Sequence, residues 1–113
     1  MGTALSDMSA VRVGQLAVAA VAAVALCPDP GPLGEALDYL AVTSLGFASA
    51  QPDDAWAAVG TSPVPTSVLE CLEEIGRLIS DWSGDVCDTH PDWTGFYSSF
   101  STALAEARRR NAA

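Results

Sequence analysis

The chain has 113 residues, half of them hydrophobic, with 14 acidic side chains against 5 basic ones, one histidine and a formal net charge of −9. That length suits a single domain with its own core, and the apolar fraction excludes an intrinsically disordered acidic chain. The charge sets the body against nucleic-acid phosphates and anionic membranes, and three cysteines, an odd and sparse set, make no disulfide framework.

The distribution of charge says more than its total. All five basic residues are arginines, and between Asp29 and Asp92 twelve acidic side chains face a single basic one, Arg77. The remaining positive charge is Arg12 and the run Arg108-Arg109-Arg110. Such a surface suits a basic protein partner or plain solubility. A reducing compartment is the simpler setting for Cys27, Cys71 and Cys87, with a Cys27–Cys87 bridge as the alternative in an exported protein.

In chain order, the first helix is predicted over about 6–27. Val11, Val18, Val21 and Ala25 share one face, with Leu16, Ala20 and Val24 beside it. The helix is apolar nearly all round, so it is expected to be central or to pack against another copy. From Val13 to Cys27 only Gln15 is polar, but these 15 residues fall short of the roughly 20 that span a bilayer. No stable membrane span is expected. Arg12 before the run and Ala23-Val24-Ala25 at its end have the form of a signal peptide with a small-x-small cleavage site. Asp7 and the long leading segment oppose that form. The expectation is therefore a buried helix in a cytoplasmic protein, with secretion as the alternative if residues 1–25 act as a signal. Pro28-Asp29-Pro30-Gly31-Pro32 stops the helix.

A second helix is predicted over 33–50, where Leu33, Leu37, Leu40 and Phe47 recur at helical spacing with Ala36, Ala41 and Ala48 alongside. A short third helix, 52–59, has Asp53 and Asp54 in its positive first turn, Trp56 as its anchor and Gly60 past its end. The fourth, 67–83, has the clearest signature. Ser67-x-x-Glu70 is a capping box, and Val68, Leu72, Ile75, Ile79 and Trp82 form one stripe that Cys71 and Leu78 widen. Glu70, Glu73, Glu74, Arg77 and Asp81 face out, with Glu73 and Arg77 at a favourable i,i+4 spacing. The last helix, 90–110, carries Trp93, Phe96, Tyr97, Phe100, Leu104 and Ala107 on one side, and its arginines sit at the negative end. No segment alternates with period two. The fold class is all-α: a small antiparallel bundle of four main helices plus one short helix.

Chemistry is densest at Cys87-Asp88-Thr89-His90-Pro91-Asp92. Cys87 and His90 have the C-x-x-H spacing that places two ligands on one metal ion, but zinc needs two more, and the sequence brings none there. The simpler reading has Thr89 and Asp92 capping the last helix, and no metal or cofactor is expected. Asp81, Asp85, Asp88 and Asp92 lack the alternation and closing glutamate of a calcium loop. No phosphate-binding loop, dinucleotide fingerprint or GxSxG nucleophile elbow is present.

Trp82-Ser83-Gly84 and Trp93-Thr94-Gly95 resemble the turn tripeptide of the small secreted Trp-x-Gly helical-hairpin proteins, which dimerise through their helices. In that family the tripeptide joins two long helices and a C-terminal Tyr-x-x-x-Asp/Glu signal accompanies it. Here the flanking helices are short, a separate apolar helix precedes them, and Ser101 stands where Tyr97 requires an acid. The tripeptide alone assigns no family, unless the molecule is one long hairpin.

These residues point to a non-enzymatic interaction or assembly module of accessory, adaptor or immunity type. Val11, Val18 and Val21 are the expected self-association residues, and Glu70, Glu73 and Glu74 are expected to meet a basic protein partner. Nucleic acid is not an expected ligand. One alternative is a small-ligand-binding protein or enzyme subunit with an aromatic pocket near Trp82 and Trp93. Another is an acidic mimic of nucleic acid, which needs carboxylates at phosphate-like intervals along one face.

Overall fold

A computed structural model describes residues 5–51, 53–60, 63–80 and 93–112. Among them every regular element is a helix: α1 (Leu5–Val24), α2 (Gly31–Ser49), α3 (Asp53–Val59), α4 (Val68–Ser80) and α5 (Trp93–Ala112). The expected onset of the last helix at 90, the end of the fourth at 81–83 and Trp82 lie outside the described residues.

Helix ends follow from local chemistry. α1 stops at Val24, three residues short of the predicted 27, because its last turn tightens ahead of Pro28. The Ala25 amide still donates to the Val21 carbonyl at 3.0 Å, but those of Leu26 and Cys27 reach back only three residues, to Ala23 and Val24. α2 starts two residues early, at Gly31, which adopts a φ of +49° that a side chain would resist. Pro32 follows in the first turn, where its missing N–H costs no hydrogen bond. Gly60, at φ +62°, closes α3 by donating to the Trp56 carbonyl at 2.8 Å.

The four longer helices pack as a ring: α1 against α2, α2 against α5, α5 against α4, and α4 against α1. The short α3 packs on α1, which therefore has three neighbours. Leu16, Leu37, Leu40, Leu72, Ile75 and Phe96 are fully buried at the centre. Each such side chain stabilises the fold by about 1.5–3 kcal/mol relative to exposure. Phe47 and Phe96 meet edge to face, ring centroids 5.1 Å apart, and join α2 to α5. The Cα radius of gyration, 13.7 Å, is close to the roughly 13 Å expected of a packed chain of this length.

Small residues set the closest approaches. A Cβ on Gly14 of α1 would come within 3.0 Å of the Ala48 Cβ of α2, and one on Gly76 of α4 within 3.2 Å of the Phe100 ring. Polar side chains tie the helices to their connections. Arg12 donates from Nε to Glu74 Oε2 at 2.8 Å and from Nη2 to the Pro63 carbonyl at 2.7 Å, so it links α1, α4 and the segment before α4. Gln15 extends this tie, donating from Nε2 to the Gly60 carbonyl at 2.8 Å. At the opposite end, Arg110 donates to the Asp29 and Pro30 carbonyls at 2.9 and 2.8 Å, fastening α5 to the turn before α2.

Candidate interaction surface

The amphipathic α4 carries the clearest polar face. Ser67 accepts the Glu70 amide at 3.1 Å and fixes the first turn, which buries Cys71, Leu72, Ile75 and Ile79. That orientation leaves Glu70, Glu73 and Arg77 exposed. Glu74 is half-buried and its carboxylate is engaged by Arg12, so it belongs to the scaffold.

The three valines of α1 have different fates. Val11 is fully buried, Val21 is half-buried, and Val18 is 46% exposed. The buried side of α1 runs instead through Val13, Leu16, Ala17, Ala20 and Val24. Most of the apolar surplus on α1 is therefore spent inside the chain, and it offers a partner little beyond Val18.

Cys71 is buried, which pushes its thiol above the usual range, and the nearby Glu74 carboxylate raises it further. The protonated Sγ points at the Pro65 carbonyl, 3.5 Å away, as a small core residue does. Cys27 is exposed beyond the end of α1. Cys87 and His90 lie outside the described residues. Among the described residues, no three histidine, cysteine, aspartate or glutamate side chains gather as metal ligands. Among them also, no helix is long and apolar enough to cross a membrane.

The aromatic residues of α5 belong to a stacked ladder. Trp93 tilts against Phe96 at 5.4 Å and Tyr97 at 5.8 Å, and Tyr97 continues to Phe100 at 6.2 Å. Phe96 and Phe100 are buried, while Trp93 is half-buried. Trp93-Thr94-Gly95 forms the first turn of α5, inside a helix, and Trp82-Ser83-Gly84 lies outside the described residues. Gly95 lets Tyr39 of α2 lie across it: a Cβ would meet the Tyr39 hydroxyl at 2.5 Å and push that ring aside. The helix pattern is not a single long hairpin.

Shallow depressions lie between the helices, three of them lined by described residues. One of about 360 Å³ is bounded by Cys27, Leu33, Val68 and Arg110 at one end of the ring. One of about 340 Å³ lies between α4 and α5 at Glu73, Arg77 and Arg108. The third, about 420 Å³, runs between α2 and α5 beside Tyr39, Gly95 and Thr102.

A further surface was hidden in the sequence. The outward side of α2 exposes Tyr39 (51%), Val42 (71%) and Leu45 (43%), next to an open Gly46. Its signal is a second stripe of spacing three, offset from the buried Leu33, Leu37 and Leu40 stripe. From Tyr39 to Gln51 the chain carries no charge. No family model matches the chain, and neither a curated protein nor a solved structure does.

Proposed function

We propose that this chain is a non-enzymatic protein–protein interaction module, its four longer helices running antiparallel around one core with α3 at the side. The alternating direction is supported by the depression at one end of the ring. There the last turns of α1 and α5 (Ala23, Ala107) meet the first turns of α2 and α4 (Leu33, Val68). The partner-facing side is the acidic face of α4, and its ligand is a basic protein surface. The observation that carries this reading is the division within one helix. Glu70 and Glu73 stand free of the core in solvent, while Glu74 is held inward by Arg12. Exposed carboxylates on a chain of net charge −9 steer a cationic partner and disfavour an anionic one. The setting we infer is cytoplasmic, where Cys27 and Cys71 stay reduced.

Affinity capture from the native host, followed by binding kinetics on the recovered protein, tests this. A basic partner should bind faster at low salt, and Glu70→Lys with Glu73→Lys should slow association about tenfold. The double variant should stay folded and melt only slightly below the wild type, because neither side chain is packed and the only loss is a favourable charge in the first turn of α4 and beside Arg77. An unchanged association rate with an unchanged salt dependence would remove the acidic face from the reading.

A further inference from the structure

We propose that the outward face of α2 docks a second copy of this chain, the two α2 helices lying antiparallel with Val42 of each copy seated over Gly46 of the other. The proposal rests on the reading of the chain as an interaction module but uses a different face from α4.

Gly46 is the first observation. It lies in the interior of α2, its φ is not positive, and a Cβ there would meet nothing within 4 Å. Neither backbone conformation nor packing within the chain calls for glycine at this position. Apart from proline, no residue disfavours a helix more. Glycine does permit close approach of another backbone. The second observation is Val42, the most exposed of the large apolar side chains within these helices, one turn earlier on the same face. A projecting valine and an open glycine four residues apart are a knob and a notch. A two-fold axis through an antiparallel α2 pair exchanges them, so each knob meets the other copy's notch. Tyr39 and Leu45 flank the contact. A foreign helix would fit the notch without needing the knob beside it.

Charge permits the same arrangement along the middle of the helix. The uncharged stretch from Tyr39 to Gln51 lets two strongly acidic copies meet without opposing carboxylates along most of the helix. Beyond its C-terminal end stand Asp53 and Asp54, both exposed. Beside its N-terminal end stands Arg110, held there by its bonds to the Asp29 and Pro30 carbonyls. In this register the exposed Glu35 of each copy comes toward the exposed Asp53 of the other, and Arg109 and Arg110 are already bonded to Glu106, so charge opposes the helix ends and the contact rests on the knob and the notch. A strip one helix wide and about 28 Å long is smaller than a standard interface, and the dimer is accordingly weak and reversible.

Sedimentation velocity on the full chain, over about two decades of concentration around the micromolar range, tests the proposal. A reversible monomer–dimer equilibrium is expected. Val42→Gly and Gly46→Val should each raise the dimer Kd about tenfold or more, and the double variant should recover most of the loss, since it exchanges knob and notch. Val42→Glu should abolish the dimer while leaving the helical circular dichroism unchanged, because the side chain projects into solvent. A chain that stays monomeric throughout, a Val42→Glu dimer of unaltered Kd, or a double variant no better than its parents would overturn the proposal. So would a chain that is monomeric alone and uses Val42 only to capture another protein's helix. Glu70→Lys with Glu73→Lys should leave the dimer intact. Loss of the dimer in that variant would move the interface to α4, whereas a monomer that still binds a basic partner would leave the α4 reading standing alone.

Discussion

α1 and α2 are near twins in length, 20 and 19 residues, and both are apolar almost all round, yet they end in different places. α1 is covered by α2, α3 and α4, so its valines and alanines are mostly buried or half-buried, and among its described side chains only Val18 and Ala22 are exposed. Among the described helices α2 packs chiefly on α1 and α5 and leaves Tyr39, Val42 and Leu45 outside. The difference is the seven-residue α3, which closes over α1. Among the described residues, no comparable piece covers Val42. Apolarity therefore does not rank the depth of a helix. The number of neighbours does, and surplus apolar surface collects on the helix with fewer of them.

The strongest way to break this comparison is to truncate matched leucines. Leu16 on α1 and Leu37 on α2 are both fully buried, and Leu16→Ala and Leu37→Ala should each cost about 2–5 kcal/mol in chemical denaturation. Val42→Ala on the outer side of α2 should stay within about 0.5 kcal/mol at concentrations where the chain is monomeric. A loss at Val42 comparable to that at Leu37 would mean that both sides of α2 are packed. A smaller effect is expected at Arg12. Arg12→Ala removes the charge-assisted bonds to Glu74 and the Pro63 carbonyl and should cost about 1–3 kcal/mol, read as a fall in the urea midpoint.

At the C-terminal end of α5 the effect is electrostatic and slight. Arg109 donates to Glu106, with Arg110 adding to the pair, and together they hold the Glu106 carboxyl below its usual range. A depressed folded pKa means that this stabilisation is present above the unfolded pKa and lost as pH falls through the folded one. In an NMR titration, Arg109→Ala should move the Glu106 midpoint upward. An unmoved midpoint would show that solvent already screens the pair.

The legibility of this molecule in its sequence varies by helix for a physical reason. α4 is strongly two-sided, so its capping serine, its buried Cys71, Leu72, Ile75 and Ile79 and its exposed Glu70 and Glu73 can be assigned from spacing alone. On α2 the stripe assigned by spacing, Leu33, Leu37, Leu40 and Phe47, is the buried one, with Glu35 and Asp38 exposed, whereas α1 is apolar nearly all round and its periodicity cannot say which apolar side faces the core. Val11 and Val18 lie on one predicted face, yet the first is buried and the second exposed. Their fates are decided by neighbours in the fold. The Arg12–Glu74 pair spans 62 residues of sequence and joins two helices, so it has no local signature. Glu74 is indistinguishable from Glu73 until that pair forms. The role of Gly95 under Tyr39 is likewise tertiary, and it gives the Trp-Thr-Gly tripeptide a packing reason in place of a turn.

Two glycines sharpen the comparison at its smallest scale, because the same substitution should have opposite signs on the two helices. In each, alanine favours the helix by about 1 kcal/mol over glycine. At Gly14 the added Cβ would stand 3.0 Å from the Ala48 Cβ, an atom fixed to the α2 backbone that cannot turn aside. The helices must part, which costs about 1–3 kcal/mol and outweighs the propensity gain. At Gly46 the Cβ enters open space, so nothing opposes the gain. Dilute Gly46→Ala should therefore melt above the wild type, and Gly14→Ala below it. If Gly46→Ala instead lowered the melting temperature, a segment of the chain would have to lie over α2 after all, and the exposed stripe of Tyr39, Val42 and Leu45 would already be covered.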